Sequence, residues 1–259
     1  MSFDITELSV CYGATPVISS LSDQWPEAQV TALIGCNGAG KSTLLQAFAG
    51  LLPMTGSLQL AGAPISVADC RRQIAYMPQD TSATSSLTVL EVVLLGRLGK
   101  LGMRVPPSLV DEAMSALSIF GLIPLHKKCL DEISGGQRQL VFLSQALFRE
   151  PKVLLLDEPT AALDLRHQLL VLEQIRLHAR QNGTIIGVAM HDLNLAAQFA
   201  DRLIGLQGGK KITAGPAEEV LTPANLKTMY GIDADVTRGA YGQLQVFPLR
   251  ASQHKAPSL

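Results

Sequence analysis

Val30-Thr31-Ala32-Leu33-Ile34, running straight into Gly35-Cys36-Asn37-Gly38-Ala39-Gly40-Lys41-Ser42, decides the fold of this chain. The first five residues form a continuous, largely apolar run, as in a strand buried on both faces. The glycines then demand a tight turn, and residues from about Lys41 to Ala49 follow as a helix stopped by Gly50 and Pro53. Strand, glycine-rich turn and helix together are the setting that the pattern GxxxxGK followed by Ser or Thr requires. Such a turn points backbone N–H groups inward around a β-phosphate, and the helix N-terminus adds partial positive charge. Lys41 is placed to bridge β- and γ-phosphates, and the Ser42 hydroxyl to coordinate magnesium, with Thr43 next to it on the first helical turn.

A second buried strand, Val153-Leu154-Leu155-Leu156, ends in the acid pair Asp157-Glu158. Next to a phosphate loop, Asp157 is expected to hold the magnesium through water, and Glu158 to act as general base on an attacking water. Thr184 to Ala189 reads as a further buried, parallel-type strand. Residues 3 to 10 and 57 to 60 read as short strands of an antiparallel sheet on the N-terminal side. The class is therefore α/β.

Between about Ser85 and Glu150 the strand–helix alternation stops, and the chain reads as an inserted helical unit. Ser108 is expected to cap a helix, with Asp111 completing a capping box. Another helix is expected to start near Gln137 and end before Pro151, with residues 96–107 as a loop between helices. Asp164 to Arg180 reads as an amphipathic helix, capped by Asp164, with Leu165, Leu169, Leu172 and Ile175 on one face and Asn182-Gly183 ending it. Beyond Gly215 the pattern suggests short helices and turns, and a disordered tail over 251–259.

The chain has 259 residues, 47% hydrophobic and 17% charged, enough for one large α/β domain with an insert. Its net charge of −1 implies no basic face, which argues against a nucleic-acid partner. Mean hydropathy is +0.24, compatible with surface buried on a partner and equally with an Ala/Leu-rich core. The N-terminal stretch has no basic segment followed by an apolar one, and no apolar run approaches the ~20 residues of a membrane span. A cytoplasmic location is expected. Cys11, Cys36, Cys70 and Cys129 are scattered, as reduced thiols of a cytosolic protein would be. His126 and Cys129 lie three apart, but without a second ligand pair a metal site there is disfavoured.

Ile133-Ser134-Gly135-Gly136-Gln137-Arg138-Gln139 is a second glycine-rich turn, in a chain that already has a full phosphate site. With this stretch the chain resembles the nucleotide-binding subunits of ABC transporters over essentially its whole length. ISGGQRQ resembles the family signature LSGGQ, with Ile133 in place of Leu. Gln79 in Tyr76-Met77-Pro78-Gln79 matches the Q-loop. Ala161 to Asp164 matches the D-loop, with Ala161 where Ser is common, and His191 matches the switch histidine. Tyr12 stands where the family places an aromatic that stacks on adenine.

The resemblance implies a P-loop NTPase (RecA-like) core with an N-terminal antiparallel β subdomain and an inserted α-helical signature subdomain. The implied divisions are 1–84, 85–150, 151–215 and a C-terminal segment over 216–259. Its implied ligands are ATP and Mg²⁺. Glu158, His191 and Gln79 would act in hydrolysis. Residues 35–43 with Tyr12 would hold the nucleotide, and Ser42, Gln79 and Asp157 the metal. Two such chains pair head to tail in the family. Ser134, Gly135, Gly136 and Gln137 would then cover the ATP held by the other copy.

Finer cues point to an importer. Asp164-Leu165-Arg166-His167-Gln168, His191-Asp192-Leu193-Asn194-Leu195-Ala196 and the stretch from Gly215 to Gly231 resemble the branch serving iron–siderophore, haem and cobalamin uptake. That branch implies membrane permease partners, an indirect link to a substrate-binding protein, and residence at the cytoplasmic face of the membrane. Residues from about Asp80 to Gly96 would line the groove that grips the permease. Iron(III)–siderophore is the expected cargo, with haem or cobalamin as alternatives. A non-transport ABC ATPase, such as one for iron–sulfur assembly, is the competing class.

Overall fold

The computed structural model describes residues 1–81, 85–100, 105–240 and 242–252. The chain opens with β1 (Ser2–Tyr12) and β2 (Thr15–Pro26), continues through β3 (Val30–Ile34) into α1 (Lys41–Phe48), and then makes β4 (Thr55–Leu60), β5 (Ala63–Pro64), α2 (Val67–Gln73) and β6 (Ile74–Met77). Three helices follow, α3 (Val89–Leu94), α4 (Pro107–Ile119) and α5 (Gly135–Phe148). The core resumes with β7 (Val153–Asp157), α6 (Leu165–Asn182), β8 (Ile185–Ala189), α7 (Leu193–Phe199), β9 (Arg202–Gln207) and β10 (Lys210–Gly215). It closes with α8 (Ala217–Val220), α9 (Pro223–Tyr230), β11 (Ile232–Arg238) and β12 (Leu244–Ala251).

The main sheet has the order β10-β9-β3-β8-β7-β6, parallel throughout except at β10. All five residues of β3, β7 and β8 are buried, and each strand feeds two cores by simple alternation. Val30, Ala32 and Ile34 face the α6 and helical-unit side, while Leu33 faces the α1 side. Leu154 and Leu156 match the first group, Val153 and Leu155 the second. A continuous apolar strand is thus what two covered faces require.

A four-stranded sheet, β2-β1-β4-β5, lies over the α1 side. The expected pairing of residues 3–10 with 57–60 is present, with Ile5 opposite Leu58. Phe3, Trp25 and Phe48 join this sheet to α1 through three edge-to-face ring contacts, with centroids 5.2 to 6.1 Å apart. Trp25 also lies so close to β8 that a Cβ on Gly187 would sit 2.3 Å from its ring.

Four expectations are corrected. Ser108 is not the cap of α4: Pro106 occupies the N-cap and Pro107 the first turn, where a missing N–H is harmless, so Ser108 falls inside the helix. Residues Leu95–Lys100 form short 3₁₀ turns broken at Arg97, where a loop is expected, while 101–104 lie outside the described residues. Leu165 is 68% exposed, so the buried face of α6 runs through Val171, Leu172, Ile175 and Ala179 instead. The segment after Gly231 is a β-hairpin, not turns: Ala234, Val236 and Val246 turn inward by alternation, and a register shift before Ala234 accommodates Pro248. Of the tail expectation, residues 253–259 lie outside the described residues.

The candidate ATP site

The phosphate loop is built by glycines in conformations other residues avoid. Gly35, Gly38 and Gly40 have φ of 148°, 78° and 100°. Gly40 is the N-cap of α1 and offers no side-chain acceptor, so the first N–H groups of that helix are left to whatever anion the loop surrounds. A Cβ at Gly35 would collide with the Leu206 carbonyl at 2.3 Å.

Lys41 is 5% exposed, and its ammonium donates to the carbonyls of Gly35 at 2.7 Å and Cys36 at 3.1 Å. Burial pushes its pKa below the ordinary lysine value, against the opposing pull of Glu158, Cys36 and Asp157. The Ser42 hydroxyl donates to Asp157 Oδ1 at 3.1 Å, and the Tyr76 hydroxyl to Oδ2 at 3.3 Å. Asp157 is 2% exposed, and burial raises its pKa despite those two hydrogen bonds and Lys41. The Tyr76 phenol is pushed up to about 12, chiefly by burial.

Glu158 follows β7 with φ 51°, a left-handed conformation rare for a non-glycine residue. Its carboxylate is held from two sides. Gln79 Nε2 donates to Oε2 at 2.7 Å, and His191 Nε2 pairs with Oε1. Val17, residues 37–43, Gln79, Glu158 and His191 line one cleft of about 490 Å³. The structure thus brings together the phosphate loop, Q-loop, acid pair and switch histidine. Gly35 and Cys36 serve from behind, through their carbonyls. Tyr12, at the end of β1, is half exposed and is not among the residues lining the cleft.

The ISGGQRQ turn stands elsewhere. Ser134 is the N-cap of α5, its hydroxyl accepting from Gln137 N–H at 3.2 Å, while Gln137 Oε1 accepts from Ser134 N–H at 3.0 Å. The helix therefore begins two residues before the sequence reading placed it. None of residues 134–137 lines the phosphate cleft. Gly136 packs on the D-loop, where a Cβ would meet the Ala162 carbonyl at 3.1 Å.

Gln139 was missed as a functional candidate, although it was in plain view within the signature. It is 3% exposed, donates to the Glu158 carbonyl at 3.0 Å and accepts from Ala162 N–H at 3.3 Å. It ties the signature helix to the acid pair. Tyr76 and Gln46, which steady Asp157 from β6 and α1, were missed too: their isolated polar positions carry no spacing signal. The His126–Cys129 pair makes no site: His126 Nδ1 bonds the Ile123 carbonyl and the Cys129 thiol the Ser86 carbonyl, and among the described residues no three His, Cys, Asp or Glu cluster as metal ligands.

Comparison with known proteins agrees with this geometry. A family model described as ABC transporter matches residues 18–161, more than half of the chain. The achromobactin transport ATP-binding protein CbrD of Dickeya dadantii is 39% identical over 236 residues, 89% of this chain and 88% of the relative. The iron(3+)-hydroxamate import ATP-binding protein FhuC of Bacillus subtilis is 37% identical over 250 residues, 91% of this chain and 90% of the relative. A solved metal-chelate type ABC transporter, in an inward-facing conformation, superposes with a TM-score of 0.82 at 27% identity, covering 96% of this chain and 97% of that one. The family match over residues 18–161, with 39% identity to CbrD across 89% of the chain, shows that this chain belongs to the ABC transporter family, as an ATP-binding and ATP-hydrolysing subunit.

Proposed function

We propose that this chain powers an importer of metal chelates, with an iron(III)–siderophore complex as first expectation and haem or cobalamin as alternatives. The importer reading is supported by the similarity to the achromobactin and hydroxamate import subunits, and its ATP-hydrolysing part by the double hold on Glu158 from Gln79 and His191 beside the phosphate loop. Lys41 would exchange its two loop carbonyls for β- and γ-phosphate oxygens, a low-cost swap because its ammonium already faces oxygen. Glu158 would take a proton from water as the water oxygen attacks the γ-phosphorus and the bond to the β–γ bridging oxygen breaks. His191 and Gln79 keep that carboxylate in place.

Magnesium fits the residues present. The Ser42 hydroxyl and the Asp157 carboxylate are hard oxygen donors 3.1 Å apart, and the buried Asp157 charge calls for a cation. Ser42 and Asp157, with Gln79, would hold the ion, which when bound neutralises charge on the phosphates.

Ser134 and the backbone N–H groups at the start of α5 would act on the ATP of a second copy, in a head-to-tail dimer. A groove of about 720 Å³, with Met77, Pro78, Leu95, Phe142 and Ala146 along its apolar wall, would receive a cytoplasmic helix of the permease. Arg71 and Arg149 on its rim favour acidic side chains on that helix. Of the expected lining, Asp80, Thr81, Leu95 and Gly96 border this groove, residues 85–94 do not, and 82–84 lie outside the described residues. Among the described residues no helix is long and apolar enough to cross a membrane, so the permease would supply the spans and hold this chain at the cytoplasmic face.

Glu158→Gln tests the reading. MgATP binding should persist while turnover falls by about a hundredfold or more. Turnover near the parent value would remove Glu158 as the base.

A further inference from the structure

The C-terminal hairpin is bonded to α7, the helix whose N-cap directly follows His191. Asp192 caps α7, accepting from Asn194 N–H at 2.8 Å and Leu195 N–H at 2.9 Å. The Asn194 side chain then leaves α7 for β12. Its Oδ1 accepts from Val246 N–H at 2.7 Å, and its Nδ2 lies 3.5 Å from the Val246 carbonyl. Val246 is 3% exposed and sits mid-strand opposite Val236, so its outward N–H and C=O would be buried without partners. A neutral amide offers both the acceptor and the donor that this strand edge needs. Leu195, Ala196 and Phe199 of α7 share one apolar core with Val246.

The same C-terminal segment reaches the phosphate loop. The Cys36 thiol donates to the Met229 carbonyl at 3.1 Å, and Gln207 Nε2 to the Thr228 carbonyl at 2.7 Å. None of the described residues in 216–252 lines the phosphate cleft, yet the segment bonds the Cys36 side chain on one side of it and the Asn194 side chain on the other. The His191 side chain is 45% exposed and held through Nε2 by Glu158. Its direction therefore depends on where the backbone puts it. That backbone is fixed on one side by Met190 N–H on the Leu33 carbonyl at 3.0 Å, and on the other by the start of α7.

We propose that Asn194 is a positioning residue for hydrolysis: by fastening α7 to β12 it aims His191 at Glu158. The C-terminal hairpin is then part of the switch and not an appendage. This rests on the reading of His191 given above.

Steady-state turnover of MgATP and the ¹⁵N ring signals of the five histidines test it together in the full chain. Asn194→Ala should lower kcat about fivefold, the worth of one neutral hydrogen bond, with KM within about twofold. The His191 ring signal should move. Asn194→Asp retains the acceptor for Val246 N–H and should stay within about twofold of the parent in kcat. Asn194→Gln keeps the amide and the fold but shifts the amide by one methylene, and should lower kcat in the same direction. A fall in melting temperature with kcat and the His191 signal unchanged would overturn the proposal, because a purely structural tie gives that result. His191→Ala separates the two failures. If it leaves turnover intact, the reading of His191 is wrong. If it stops turnover and the Asn194 variants do not, only the positioning proposal falls.

Discussion

The phosphate cleft and the signature turn are both glycine-rich starts of helices, yet they are satisfied in opposite ways. At the cleft, residues from four stretches of the chain form two adjoining sets: Ser42 and Tyr76 bond Asp157, and Gln79 and His191 hold Glu158. At the signature, Ser134 and Gln137 bond back and forth within one helical turn. One is a site assembled by the fold. The other is a capped helix end, presented outward and steadied from behind by Gln139. In the proposed head-to-tail dimer this helix start would serve a site shared with a second copy.

The difference can be tested by damaging each region separately. Ser134→Arg puts a bulky cation at the outward face while leaving the cleft untouched. Turnover should fall by about a hundredfold, as on loss of a transition-state contact, with nucleotide affinity within about threefold. Equal losses of affinity and turnover, measured by titration and by phosphate release, would assign Ser134 to the chain's own cleft. Gln139→Leu cuts the tie between the regions, leaving the Ala162 N–H without its partner and the Glu158 carbonyl with the Ala161 N–H alone. A drop in turnover of about tenfold is expected, with binding retained. An unchanged rate would mean that the two regions are not coupled through this side chain.

The smallest effect concerns stability. Burial raises the pKa of Asp157, so its protonated form is the one the fold favours. That stability is fully present below the ordinary carboxylate range and is lost as pH rises through the raised value. At neutral pH the ionised carboxylate is a net cost. Asp157→Asn removes the charge, and without nucleotide the melting temperature should rise by about 2–4 °C at pH 7. The gain should shrink as pH falls toward the ordinary carboxylate range. A lower melting temperature at pH 7 would show that Ser42, Tyr76 and Lys41 outweigh the burial cost.

What could be read in advance followed from how local each signal is. The strand Val30–Ile34, its glycine turn and α1 announce themselves within one continuous stretch, Val30 to Phe48, because backbone geometry and apolar run coincide there. The acid pair is legible for the same reason. β2 was missed: Thr15–Pro26 is interrupted by Ser19, Ser20, Ser22 and Asp23, and its inward residues Ile18, Leu21 and Trp25 are not evenly spaced, because the β1–β2 pairing contains register shifts. The hairpin of β11 and β12 was hidden by Asp233, Asp235 and Pro248, which a hairpin edge tolerates and a central strand does not. Gln139 and Asn194 illustrate a different limit. Each satisfies backbone groups of a distant segment, and only the folded chain reveals which segment that is.

The central claim is that the signature turn completes the ATP site of a second copy. It is met most directly by sedimentation of Glu158→Gln with MgATP. The chain should be a dimer holding one ATP per copy, and adding Ser134→Arg should return it to monomer with the ATP still bound. A monomer in the first case, with ATP bound at full occupancy, would contradict the claim.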